Sequence, residues 1–181
     1  MHVLAVLLMR LLDRHKAKCS SIVDVSKAKQ QAITTISERD TERFGEGIGA
    51  RLRGGEVLQL NSDVGGGKTT LVRGIARGAG SSDVVASPTF TVSKLYRATD
   101  FQIVHFDFYR IQSDVAMVCR ELEEVISQDN TVVLIEWSDA ISNVLPDNTI
   151  NVTIQPIDDA TRQIAWFCPS EYDYLFKGVD A

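Results

Sequence analysis

The sequence is poor in the residues that build disulfide frames or metal clusters. Only three cysteines occur, Cys19, Cys119 and Cys168, far apart and in no C-x-x-C pair. An odd, dispersed set excludes a disulfide scaffold and a structural zinc site, and reads as free thiols in a reducing compartment. The three histidines are equally scattered and propose no metal cluster. Long hydrophobic runs are also lacking. The most apolar stretch, Val3 to Leu12, is far shorter than the ~20 residues a membrane-crossing helix needs. No Lys or Arg precedes it, Arg10 interrupts it, and no A-x-A-like site follows, which argues against a secretory signal. Positive charge is not in excess either. A formal net charge of −5 argues against an exposed basic surface that grips nucleic acid unaided, so any RNA would be held through a partner.

What the chain does have is a phosphate loop in its proper context. Val57, Leu58 and Leu60 read as a short buried strand, and Thr69 to Arg77 as a helix. Between them lies Ser62-Asp63-Val64-Gly65-Gly66-Gly67-Lys68-Thr69-Thr70. Strand, glycine-rich turn and helix in that order is what a P-loop requires. Inward-turned amides of Gly65, Gly66 and Gly67, with the partial positive charge of the helix start, offer polyphosphate ready donors. Lys68 would reach the β- and γ-phosphates, and the Thr69 hydroxyl would bind Mg²⁺. The pattern G-x-x-x-x-G-K-[ST] places its first glycine at Ser62, so this chain reads S-x-x-x-x-G-K-T. Glycine there relieves a backbone constraint where the strand ends, and serine replaces it only with a negative φ. The alternative is a glycine-rich turn whose lysine merely faces solvent.

At 181 residues, 44% hydrophobic and 24% charged, the chain is one globular domain with a real core. Residues 1–33 read as an extension outside that core, with a membrane-surface anchor as the alternative, and 34–181 as a single P-loop domain. Ser37-Glu38-Arg39-Asp40 has the form of a helix N-terminus, with Asp40 placed to reach back to the cap. Phe44, Ile48 and Leu52 then recur at helical spacing, and Gly54-Gly55 ends the segment. After the loop's helix, Pro88 forces Ser87 to be extended. The hydroxyls of Ser87, Thr89 and Thr91 read as a switch-like loop facing a γ-phosphate or Mg²⁺-bound water, or as a plain loop entering a hairpin.

Gln102 to Arg110 is an apolar strand that delivers Asp107 near its end, and Thr131 to Trp137 delivers Glu136 in the same way. Two acids at the C-terminal ends of strands fit one ligand site. The chemistry needs one carboxylate for Mg²⁺ or its water and one to orient the attacking water. Between these strands Asp114 to Ser127 reads as a helix with Val118, Leu122 and Val125 inward. His105 reads as a packed histidine rather than a catalyst. Ile150 to Ile154 and Arg162 to Phe167 alternate as a hairpin closing the sheet, and Tyr172, Tyr174 and Phe176 are placed to cap the core.

The order of Asp40-Thr41…Phe44-Gly45, the loop from Ser62 to Gly74, Ser87-Pro88-Thr89-Phe90-Thr91, His105-Phe106-Asp107-Phe108-Tyr109-Arg110 and Glu136-Trp137-Ser138 resembles the TsaE (YjeE) family. These are bacterial ATPases needed to form threonylcarbamoyladenosine on tRNA. The resemblance covers roughly residues 34–167, and the family's usual loop, G-D-L-G-A-G-K-T, appears here with Ser62 first and Gly66 for alanine. It implies an α/β P-loop NTPase-like three-layer fold, a mainly parallel sheet with antiparallel strands added at the C-terminal end. It implies a cytoplasmic, ATP- and Mg²⁺-using accessory that resets the TsaD–TsaB transferase pair and meets tRNA only through it. By position, Thr69 and Glu136 would be Mg²⁺ ligands and Asp107, with Lys68, would serve hydrolysis. Asp63, Gly65, Gly66, Gly67, Lys68, Thr69, Thr70, Thr89 and Trp137 would line the nucleotide. A small-molecule P-loop kinase is the alternative, although no arginine-rich lid insertion follows the core strands. A nucleotide-gated scaffold with little turnover is the other.

Overall fold

The computed structural model describes residues 31–111 and 115–180. The apolar stretch Val3 to Leu12 and Cys19 lie outside these residues. The elements are β1 (Gln31–Thr35), α1 (Glu38–Gly49), β2 (Val57–Asn61), α2 (Lys68–Gly78), β3 (Ser93–Arg97), β4 (Gln102–Asp107), α3 (Val115–Ile126), β5 (Thr131–Glu136), β6 (Ile150–Pro156) and β7 (Arg162–Phe167). Short 3₁₀ turns follow at Ser138–Ile141 and Ser170–Leu175.

Seven strands form one sheet in the order β1-β7-β6-β2-β5-β4-β3. The four central strands are parallel, through the pairs β6–β2, β2–β5 and β5–β4. Of these, β4 and β5 are buried almost end to end, as strands covered on both faces must be. The hairpin β6–β7 is antiparallel, as the alternation of its residues predicts. Antiparallel strands also occur at both edges; the sequence reading allowed a hairpin after the Ser87 segment but gave no sign of a strand before α1. β3 pairs with β4 at one edge, and β1 pairs with β7 at the other. Gln31, Ala32 and Ile33 therefore belong to a strand, although the sequence reading placed the end of the extension at residue 33. A five-residue edge strand without alternation carries too little signal to be separated from a tail.

Residues alternate strictly between the two faces of the sheet. Leu58, Leu60, Ile103, Val132 and Leu134 face α1 and α2, while Val57, Val104, Phe106, Val133 and Ile135 face α3. The result is three layers. The tail completes the first face: Phe176 stacks on Trp166 with ring centroids 4.8 Å apart, and Phe44 of α1 packs on the same indole at 5.4 Å. Glu56, buried just before β2, ties the tail down. Its carboxylate accepts from the Arg53 and Gly54 amides at 2.8 and 2.9 Å and from the Tyr174 hydroxyl at 2.7 Å.

Helix α1 starts as its sequence signature predicts. The Ser37 side chain accepts from the Asp40 amide at 3.1 Å, and its hydroxyl donates to the Asp40 carboxylate at 2.8 Å. Its partner is α2, and the two run side by side in the same direction. Arg73 pairs with Glu38 and Glu42, and Arg77 with Glu42 and Glu46. Beneath these ion pairs the backbones touch. A side chain at Gly45 or Gly49 of α1 would strike the Leu71 or Ile75 carbonyl, and one at Gly74 or Gly78 of α2 the Glu42 or Glu46 carbonyl. Both N-termini therefore open at the same end of the sheet, beside the loop after β2.

Candidate active site

The strands β2, β4 and β5 deliver their ends to one place. Asp107 closes β4, Glu136 closes β5, and the two are paired in register. In a parallel pair such neighbours project to the same face, here the one covered by α2. Both carboxylates are buried, at 3% exposure each. Buried acids are rare unless bonded, and each of these is. Asp107 Oδ1 accepts from the Tyr109 amide at 2.9 Å. Its Oδ2 accepts from Ser87 Oγ at 3.1 Å and from Thr89 Oγ1. Glu136 Oε1 meets His105 Nε2 at 2.9 Å, and its Oε2 lies 3.9 Å from Lys68 Nζ.

Lys68 is the first residue of α2 and is 6% exposed. Its ammonium donates to the Ser62 and Asp63 carbonyls at 2.9 and 3.0 Å, and sits 4.6 Å from the centre of the Trp137 ring. Burial lowers its pKa, and the neighbouring charges of Glu136, Asp107 and Asp63 oppose that shift. The loop itself is held open by left-handed glycines, Gly65 at φ 76° and Gly67 at φ 111°. Such φ values are cheap for glycine and strained for other residues. Arg162 of β7 donates from Nε to the Gly66 carbonyl at 3.0 Å, fixing the loop against the β6–β7 hairpin.

Ser62 resolves the departure from the loop pattern. Among the described residues, Val92 and Trp137 are the non-glycine positions with positive φ, so serine at 62 carries no left-handed strain. Its Oγ is buried, has no hydrogen-bond partner among the described residues, and fills the space a Cβ on Gly66 would occupy. Trp137 does adopt the left-handed conformation, φ 57° and ψ 48°. That turns its ring over Lys68 and against Tyr109, 4.9 Å away. Strained backbone of this kind persists where the surroundings enforce it, and functional sites are where it concentrates.

A shallow cavity of about 300 Å³ opens beside the loop, lined by Asn61, Ser62, Asp63, Trp137 and Thr153 among others. Lys68, Asp107, Glu136, Thr89 and Trp137, all expected from sequence at one site, thus converge on it or on each other. Thr69 lies on the first turn of α2. Thr70 turns away, its hydroxyl donating to Glu38 of α1 at 3.2 Å. Two neighbours were not assigned to the site from sequence. Arg162 looked like any hairpin residue. His105 had a usable signal, because it lies two residues before Asp107 and so shares its face.

A family profile described as "Threonylcarbamoyl adenosine biosynthesis protein TsaE" matches residues 35–164. The chain belongs to the TsaE family. The tRNA threonylcarbamoyladenosine biosynthesis protein TsaE of Rickettsia bellii (strain RML369-C) is 36% identical over 127 residues, 70% of this chain and 87% of that protein. The TsaE protein of Bacillus subtilis (strain 168) is 32% identical over 138 residues, 76% of this chain and 85% of that one. A crystal structure of Bacillus subtilis YdiB superposes with a TM-score of 0.69 at 29% identity, covering 82% of this chain and 92% of that chain. The TsaE assignment agrees with the three-layer α/β architecture. It places the chain among the accessory ATPases of threonylcarbamoyladenosine formation on tRNA.

Among the described residues no three His, Cys, Asp or Glu side chains cluster as a metal cage. Mg²⁺ does not need one: it is bound by one or two carboxylates and completed by water and substrate phosphates. A buried Glu136 facing the loop's lysine, with Thr69 at the helix start, fits that donor set.

Proposed function

We propose that this chain binds and hydrolyses ATP at the loop between β2 and α2, and that turnover is coupled to the TsaD–TsaB pair. The observation that carries the reading is the convergence of a loop lysine and two buried carboxylates on one strand-end site. The amides of Gly65, Gly66 and Gly67 and the Lys68 ammonium bind the polyphosphate. Thr69 and Glu136 would hold Mg²⁺, which would supply charge neutralisation to the polyphosphate. Asp107, backed by Ser87 and Thr89, holds the attacking water. Trp137 lies along the nucleotide and shields the lysine from bulk water. The net charge of −5 fits a protein that meets tRNA only through its partners. No helix among the described residues is long and apolar enough to cross a membrane.

The test is Lys68→Ala in an ATP titration. Loss of charge-assisted bonds of roughly 1.5–3 kcal/mol weakens binding about 10- to 150-fold. Unchanged affinity rejects the site. Capture by TsaD and TsaB in an ATP-dependent manner tests the partner assignment separately.

A further inference from the structure

His105 is fully buried on β4, and a histidine in such a place normally needs no explanation beyond packing. Its bonding says otherwise. Nε2 lies 2.9 Å from Glu136 Oε1, while Nδ1 is buried with no hydrogen-bond partner among the described residues. An orphaned buried polar atom carries a desolvation cost that leucine or phenylalanine would not incur in the same space. All the polar bonding of this ring is spent on one carboxylate oxygen. The ring is fixed in turn by Tyr96, whose centroid is 6.2 Å away and whose hydroxyl donates to the Ala86 carbonyl at 3.0 Å. Ala86 stands next to Ser87, in the segment that reaches Asp107.

We propose that His105 is a positioning residue: by donating to Oε1, it fixes the rotation of Glu136 so that Oε2 is presented to the metal position beside Lys68. The proposal rests on the reading of Glu136 as a Mg²⁺ ligand. Without His105 the carboxylate has the Lys68 ammonium as its cationic neighbour on one side and a buried, unbonded oxygen on the other. It would then rotate to satisfy that oxygen rather than the cation. Outer-shell partners of this kind commonly change metal affinity by 10- to 100-fold.

The experiment measures ADP binding by the change in intrinsic tryptophan fluorescence across a Mg²⁺ titration and, separately, in EDTA. The proteins compared are the parent, His105→Phe, His105→Gln, Glu136→Gln and the His105→Phe/Glu136→Gln pair. His105→Phe is expected to raise the Mg²⁺ midpoint about 10- to 100-fold and to leave ADP affinity in EDTA unchanged. His105→Gln carries an amide donor near the Nε2 position and should restore most of the loss. The double variant should behave like Glu136→Gln alone, because His105 acts through that carboxylate. If Glu136→Gln leaves the midpoint unmoved, the metal-ligand reading fails. If Glu136→Gln moves it and His105→Phe does not, the positioning role alone is overturned. It is equally overturned if both His105 variants lose ADP binding in EDTA or fail to fold, since His105 would then be a packing residue.

Discussion

Ser62 and Gly66 compete for one small volume, and their coupling is measurable. A Cβ on Gly66 would overlap Ser62 Oγ outright. Gly66 itself has no positive φ, so alanine suits its backbone and the obstacle is steric alone. Forcing a methyl group into a filled site typically costs 1–3 kcal/mol. Relieved by moving the loop away from phosphate, that cost makes Gly66→Ala bind ATP about 5- to 150-fold more weakly. Ser62→Gly has two opposed effects on stability. It removes a buried, unbonded hydroxyl, worth about 1–3 kcal/mol, and it frees the unfolded chain at a cost of roughly 0.4–1 kcal/mol. Its ATP affinity stays close to the parent's, because the phosphate donors are untouched. In the Ser62→Gly/Gly66→Ala pair the methyl has its space, and the nearest remaining atom is the Asp63 carbonyl oxygen at 3.1 Å, which a small shift relieves. The pair should therefore bind ATP almost as the parent does, with a coupling of about 1–3 kcal/mol between the two positions. Calorimetric ATP titration of the four proteins gives that coupling directly. A double variant as weak as Gly66→Ala, or a Gly66→Ala protein that binds like the parent, refutes the reasoning.

Asp107→Asn replaces an acceptor facing Ser87 and Thr89 with a donor or a rotated amide. Phosphate release should fall by about 10²–10⁴ while ATP affinity stays within a few fold. Equal loss of both would make Asp107 structural. Tyr174→Phe removes the 2.7 Å bond to buried Glu56 and should lower stability by about 1.5–3 kcal/mol, read from the urea midpoint. An unmoved midpoint would mean the tail is not tied there. Removing residues 1–30 spares β1, which begins at Gln31, and should leave a folded, ATP-binding protein. Cutting to residue 36 removes the edge strand and the 2.8 Å bond between Thr35 and Thr41, and should lower the melting temperature. Equal stability of the two truncations would show that β1 contributes nothing.

The parts of the site legible in the sequence are those that chemistry ties to local spacing. Lys68 follows three glycines and opens a helix, and Asp107 and Glu136 each end a run of β-formers, so their shared location follows from parallel topology. The core stripe of α1 was legible for the same reason, since Phe44 and Ile48 are both fully buried. Long-range pairings were not. Arg162 meets the Gly66 carbonyl from the far end of the chain, and no local pattern marks which hairpin residue will do so. Nor does spacing reveal that the hydroxyl of Ser62 fills the room of a missing methyl at 66. The first depends on how the sheet order brings sequence-distant segments together, the second on the backbone course of the loop itself.

The bare backbone contact between α1 and α2 also decides where this molecule has freedom to move. Helices separated by a layer of side chains slide by letting rotamers hop, but here carbonyls rest on glycine α-carbons and no such lubricant exists. A shift of α2 along α1 would drive those carbonyls into neighbouring residues that carry side chains. The loop between β2 and α2 is thus the fixed jaw of a vice, carried on α2 and through it held to α1. On the function proposed above, accommodation of a larger or smaller phosphate chain would fall to the opposite jaw. That is the segment of Ser87, Thr89 and the solvent-facing Phe90, which touches the site through hydroxyl contacts to Asp107.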